Sequence, residues 1–328
     1  MRRIFLFVIL CCGLPGAALA AETRYTVLML LFRGVTEAEK GFMDYLKPRL
    51  PVDFVIRDAG GDRAKVREFV EEAKQMRPHL IYAFGTTVAL DTVGAAGKID
   101  PKRHIADIPV IFNIVADPVG AGLARGFVAT GRNLTGVSHL VPMQMQLKTM
   151  QRLKKVQRLG VIYNPHEANA VLSVRELRQY AGESGYKLIE APLDTLAGQK
   201  VDAKDVEAAM RVLLVARPDF IYLPSDSSLI QQAGAIVNAA TAAKVPVISA
   251  TEAPIRKQGA YVGMVSSYYN VGAYAGYKAE QILSGKQAVG SIPVDTLQRF
   301  TLLVNMNTGG KLGLYPPLDL IPIAELLR

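Results

Sequence analysis

Apolar residues recur along this chain in two alternating rhythms. Short, nearly continuous runs rich in Val, Ile, Leu and Tyr occupy positions 25–32, 52–57, 80–84, 110–114, 134–138, 159–163, 187–191, 220–223, 245–249 and 261–265, with the length and composition of buried strands. Between them lie segments whose apolar residues stand three and four apart, the spacing of one helix face: 36–50, 62–76, 87–96, 143–155, 168–184, 203–215, 228–244 and 269–284. This alternation predicts an α/β architecture of parallel sheets with helices on both faces.

The pattern also repeats itself. Arg77, Pro78, His79, Leu80, Ile81 and Tyr82 return as Arg217, Pro218, Asp219, Phe220, Ile221 and Tyr222. Both copies run into small polar residues, Gly85, Thr86 and Thr87 in the first and Ser225, Asp226, Ser227 and Ser228 in the second, and then into a helix. A second echo stands at nearly the same offset: IPVIFNIVADP at 108–118 and VPVISATEAP at 245–254. One design is therefore expected twice, as two doubly wound lobes whose strand ends face each other across a cleft. No long Pro- or Ser-rich linker separates the halves, so the lobes are expected to share crossovers near 138–142 and near Ser266 and Ser267. The expected division is 21–138 plus 267–295 for lobe 1 and 139–266 plus 296–328 for lobe 2.

The N-terminus changes the setting. Arg2 and Arg3 precede an apolar run over 4–14, and Gly16, Ala17, Ala18, Leu19 and Ala20 supply a small-residue cleavage site. This is the pattern of a secretory signal peptide over 1–20, cleaved near Ala20, which places the protein in the periplasm or outside the cell. An uncleaved anchor is disfavoured because the run is short for a bilayer. Cys11 and Cys12 are the only cysteines, so the chain beyond them can form neither a disulfide nor a thiolate metal site. Lipidation is the weaker reading, since Leu10 or Cys11 stands where a small residue is needed. The 328 residues, 50% hydrophobic and 20% charged, suffice for two domains with real cores. The net charge of +9 is dispersed in short runs such as Lys154 and Lys155 and accompanies no nucleic-acid motif, so no nucleic-acid partner is expected.

Enzyme signatures are mostly absent. His79, His104, His139 and His166 are the four histidines, and there is no Gly-x-Ser-x-Gly elbow, Walker loop or metal-ligand spacing. Phe32, Arg33, Gly34, Val35 and Thr36 stand where a dinucleotide fingerprint would follow the first strand, and GAAG at 94–97 reads as a helix C-cap. No catalytic residue, metal or cofactor is expected. What recurs is a set of small polar or acidic groups just past strands: Thr86 and Thr87, Asp117, Ser138, Asn164 with Glu167, Asp226, and Glu252. Hydroxyls, amides and helix N–H groups can take a carboxylate, and Asp or Glu an ammonium, an inventory that suits a zwitterion. Any one of them alone could be a helix N-cap, Thr36, Ser138, Asn169 and Ser228 most readily. Asp226 is expected to pair with the amine of a ligand.

The runs IPVIFNIVADPVGAGL (108–123), GRNLTGVS (131–138), GVIYNPHEANA (160–170) and YYNVGAYAGYKAEQILSGK (268–286), with IPV at 292–294, resemble ABC-transporter substrate-binding proteins of the tryptophan/tyrosine-binding branch. The resemblance covers nearly all of the chain beyond residue 20. It implies a type I periplasmic-binding-protein fold, two lobes closing on a small-molecule solute, and delivery of that solute by a monomer to an ABC permease and its ATPase. Carried over by motif, it implies ligand contacts from Thr86 and Thr87 in the GT loop, Asp117 in DPVGAG, Ser138 in GVS, and Asn164, Glu167 and Asn169 in NP-x-EAN. Asp226 in P-x-D and the paired aromatics Tyr268 and Tyr269 complete the implied set. The chain departs from the pattern after the first strand, where Phe32, Arg33 and Gly34 replace the polar or acidic group of many relatives. An amino acid is the first expectation for the solute, an aromatic acid or small amide the second. A ligand sensor that signals to a membrane receptor would share the fold, and an enzyme using Asp117 and Asp226 is a third class.

Overall fold

A computed structural model describes residues 24–197 and 199–328; the expected signal peptide over 1–20 and its expected cleavage near Ala20 lie outside the described residues. Two sheets organise the molecule. The first contains β1 (Tyr25–Leu31), β2 (Val52–Asp58), β3 (Leu80–Phe84), β4 (Val110–Val115) and β5 (Leu134–Ser138). The second contains β6 (Arg158–Tyr163), β7 (Lys187–Pro192), β8 (Phe220–Leu223), β9 (Val247–Ser249) and β10 (Val262–Val265). Spatial order is β2-β1-β3-β4-β5 in one and β7-β6-β8-β9-β10 in the other, all parallel, so strand for strand the second sheet repeats the first.

The sequence echo has a conformational cause. Arg77 and Arg217 both adopt left-handed φ, 52° and 48°, at the ends of α2 (Arg63–Met76) and α6 (Ala203–Val215), and the following Pro prevents the helix from resuming. The chain is thereby turned into β3 and β8, which are buried along their whole length, as the central strands of doubly covered parallel sheets must be. The edge strand β2 instead shows partial exposure throughout.

Covering helices include α1 (Glu37–Leu46), α3 (Gly85–Val93), α4 (Met143–Leu153) and α5 (Ala168–Ser184). The expected helix over 228–244 is two helices, α7 (Ser227–Gln231) and α8 (Ala233–Ala242), interrupted at Gln232. A further helix, α9 (Glu252–Gln258), begins within the last three residues of the second echo; its Pro254 lies in the first turn, where a missing N–H costs no helical bond. From β10 the chain returns through α10 (Tyr268–Leu283) and β11 (Asp295–Thr296) to the edge of the first sheet beside β5. It then crosses back as β12 (Thr301–Asn305), antiparallel to β10, α11 (Met306–Leu312) and β13 (Ala324–Leu327). Buried Lys278 ties α10 to β11 through an ion pair with Asp295 at 2.6 Å. One apolar core surrounds the first sheet and two lie on either side of the second.

Candidate functional site

In a sheet of order 2-1-3-4-5, the loops after the first and third strands leave in opposite directions and open a crevice at the C-terminal edge. Lobe 1 has this crevice between β1 and β3, where Phe32 and Arg33 face Gly85, Thr86 and Thr87. Lobe 2 has it between β6 and β8, where Asn164 and Glu167 face Ser225, Asp226 and Ser228. The two crevices are brought together. A cavity of about 140 Å³ lies between them, lined by Phe32, Arg63 and Thr87 from lobe 1 and by Asn164, Glu167 and Ser228 from lobe 2. A second, of about 240 Å³, lies beside it between Arg33, Thr36 and Tyr268 on one side and Gln231, Glu252 and Arg256 on the other.

The lobe 2 crevice is tightly wired. Asp226, with none of its surface exposed, accepts at Oδ1 from the Leu229 N–H (3.0 Å), capping α7, and at Oδ2 from the Asn164 N–H (2.8 Å) of the facing loop. The Ser228 N–H and hydroxyl donate to Glu167 Oε1 at 3.2 and 2.8 Å. Asn164 Oδ1 accepts from the His166 N–H at 2.9 Å, and the Asn169 amide donates to the Ser225 carbonyl. Burial pushes the Asp226 carboxyl well above the usual range, with the neighbouring Glu167 charge adding to it. Burial likewise raises Glu167, against the lowering effect of the Ser228 hydrogen bonds.

The wiring gives these groups partners within the protein, and it corrects three of the four expected N-caps, Ser138, Asn169 and Ser228. Asp226 is the cap of α7 and a strap to the β6 loop, and both its oxygens are engaged by backbone N–H groups. Ser228 sits inside the first turn because Asp226 already supplies the cap. Asn169 lies within α5, after the cap position at Glu167, and Ser138 caps no helix because its hydroxyl donates to the Ala116 carbonyl at 2.8 Å. Thr36 does cap α1, in a reciprocal box with Glu39. Asp117 Oδ1 accepts from the Val119 and Gly120 N–H groups of its own loop, at 3.0 and 2.8 Å. Tyr269 is turned away: it is 42% exposed, and its hydroxyl donates to Asp44 on α1.

Around the rest of the cleft, buried polar groups from both lobes are less satisfied. Thr86 is buried in the first turn of α3, and its hydroxyl has no hydrogen-bond partner among the described residues. The same holds for the hydroxyls of Tyr268, at the start of α10, and Thr251, and for Arg33 Nε. Burial raises the Tyr268 phenol to about 12, and the Arg33 guanidinium opposes that shift. Tyr268 stands edge-on to His139, with centroids 5.4 Å apart, and its N–H donates to Glu252 Oε1 at 2.9 Å across the crossover from lobe 2. His139, at the first crossover, contacts Ser225 through Nε2 at 3.0 Å; burial depresses its imidazole to about 3 and keeps it neutral. Thr251 was not foreseen near the cleft, and Arg33 was expected to matter only for an aromatic acid or small amide. The departure from the family pattern at Phe32, Arg33 and Gly34 was the available signal for Arg33; Thr251 had none beyond its place after β9.

A site of buried hydroxyls, N–H groups and acids from two lobes can hold a small polar molecule on several sides. No group of His, Cys, Asp and Glu among the described residues could hold a metal ion. The family model for ABC transporter substrate binding proteins matches residues 32–323. A tyrosine-binding protein of Clostridioides difficile is 29% identical over 280 residues, covering 83% of this chain and 75% of the relative. An ABC domain from Streptococcus pneumonia, solved in complex with L-Trp, superposes with a TM-score of 0.81 at 21% identity, covering 93% of this chain and 100% of that one. A conserved domain protein from Vibrio cholerae also gives 0.81, at 25% identity over 93% of this chain and 99% of that one. The fold is that of type I periplasmic binding proteins, and the chain belongs to the ABC transporter substrate-binding protein family.

Proposed function

We propose that this protein is the extracytoplasmic solute-binding component of an ABC importer, a monomer that holds one amino-acid-sized solute between its lobes and delivers it to a membrane permease with its ATPase. The observation that carries the reading is the facing pair of switch-point crevices, with buried hydroxyls of Thr86, Tyr268 and Thr251 around the cleft that lack partners among the described residues. Such groups are costly to bury unless something satisfies them, and a bound solute does. Thr87 and Glu167 line the cavity between the crevices and join them as proposed contacts. Asp117, Ser138, Asn164, Asn169 and Asp226 act through the loops they hold. The names of the relatives, one tyrosine-binding and one solved with L-Trp, support an amino-acid class of solute. The engaged state of Asp117 and Asp226 favours binding over catalysis.

Mass spectrometry of the solute released from protein purified from its export compartment, followed by calorimetry with that solute, tests the proposal. One molecule bound at one site and recovered unchanged after prolonged incubation is the expected result. Chemical conversion of the solute, or no solute released and none bound, would contradict it.

A further inference from the structure

Three arginines line the cleft, and they differ in one respect. Arg63 forms a two-pronged pair with Asp91, at 2.7 Å through both Nε and Nη2. Arg256 pairs with Glu252 at 3.1 Å and with Glu325 at 2.6 Å. Arg33 has no ion pair among the described residues, and its buried Nε has no hydrogen-bond partner. The guanidinium lies over the Phe84 ring, 5.2 Å from its centroid, at the mouth of the lobe 1 crevice. Its field reaches across the cleft: it depresses His139, opposes the rise of Tyr268, and lowers Glu167 from the other lobe. Glu167 is committed to Ser228 and does not pair with it.

A guanidinium is a planar fork that matches a carboxylate, and a partly desolvated one over an aromatic face gains most from an anion. Its neighbours at the crevice are the Thr86 and Tyr268 hydroxyls, whose protons have no acceptor among the described residues, the Arg33 side chain itself lying against the Tyr268 phenol. We propose that Arg33 sets the charge of the solute: the cleft selects a net-anionic carboxylate over a neutral zwitterion, with a solute carboxylate on the Arg33 guanidinium and its apolar part against Tyr268. This rests on the solute-binding reading and narrows it.

The test has two readouts. The net charge at pH 7 of the solute released from purified protein is read by mass spectrometry. Calorimetry then compares L-glutamate, phenylacetate and 4-hydroxybenzoate with L-tyrosine and L-tryptophan on the wild type, Arg33→Lys and Arg33→Met. The expected result is an anionic released solute, or an anion bound at least tenfold more tightly than either neutral amino acid. Arg33→Met should weaken that anion by about thirtyfold or more, as loss of one partner of a buried charge pair does, and Arg33→Lys should fall between. Ligand-free melting curves of the variants show whether they fold. A neutral released solute, or tight binding of tyrosine or tryptophan that Arg33→Met leaves unchanged, overturns the role of Arg33 and leaves the solute-binding reading standing. No released solute and no binding by the folded wild type removes that reading, and the inference with it.

Discussion

Asp226 and Glu167 show what a buried carboxylate does when its partners are neutral N–H and hydroxyl groups. Both have pKa values raised by burial, and each charge disfavours the other. The folded protein therefore binds these protons more tightly than the unfolded chain does. The resulting stability is fully present below the ordinary carboxylate range and is lost as pH rises through the raised values. Between neutral pH and about 5, the melting temperature should climb as pH falls. Further acidification reverses the gain as lowered, ion-paired carboxyls such as Glu72 and Glu190 begin to protonate. Glu167→Gln keeps an acceptor for Ser228 and removes one of the two charges, so melting curves over this range should show a shallower climb. An identical slope in the variant would mean that the pair does not titrate together. These residues were legible in the sequence as polar groups at strand ends, because that position is fixed by the α/β rhythm. Their partners were not, since Asp226 meets Asn164 only when β6 and β8 lie side by side. Arg33 was legible only as a departure from the family pattern after the first strand; its place over Phe84 needed the packing.

At the scale of elements, α1 and α10 approach backbone to backbone. A Cβ on Gly272 would come within 1.8 Å of the Ala38 carbonyl oxygen, and one on Gly41 within 2.0 Å of the Tyr269 carbonyl oxygen. Gly272→Ala must push the two helices apart. It should cost about 1–3 kcal/mol, measured by denaturant unfolding, and should weaken solute binding as well because α10 starts with Tyr268 in the cleft. Full stability would show that the helices separate freely. The duplicated core was readable because each copy repeats the same Arg-Pro exit into a buried strand. The tail β12, α11 and β13 has no counterpart in the first copy, so the echo could not announce it. The break at Gln232 was hidden because apolar residues keep helical spacing across α7 and α8, whereas the short first helix is fixed by the Asp226 cap.

The whole molecule is two copies of one lobe joined where the chain passes from β5 to α4, from β10 to α10, and from β11 to β12. A solute that touches both crevices binds the closed arrangement better than an open one, and so must shift the population toward closure. Val35, 48% exposed, and Lys257 line opposite walls of the larger cavity, and the Lys257 charge is felt at Glu37 across it. In a chain without Cys11 and Cys12, spin labels on Val35→Cys and Lys257→Cys would report the separation of the walls by pulsed electron paramagnetic resonance. With saturating solute, identified by its release from the purified protein, the distance distribution should shorten and narrow. A distribution that stays the same while calorimetry shows the solute bound would contradict the two-lobed clamp.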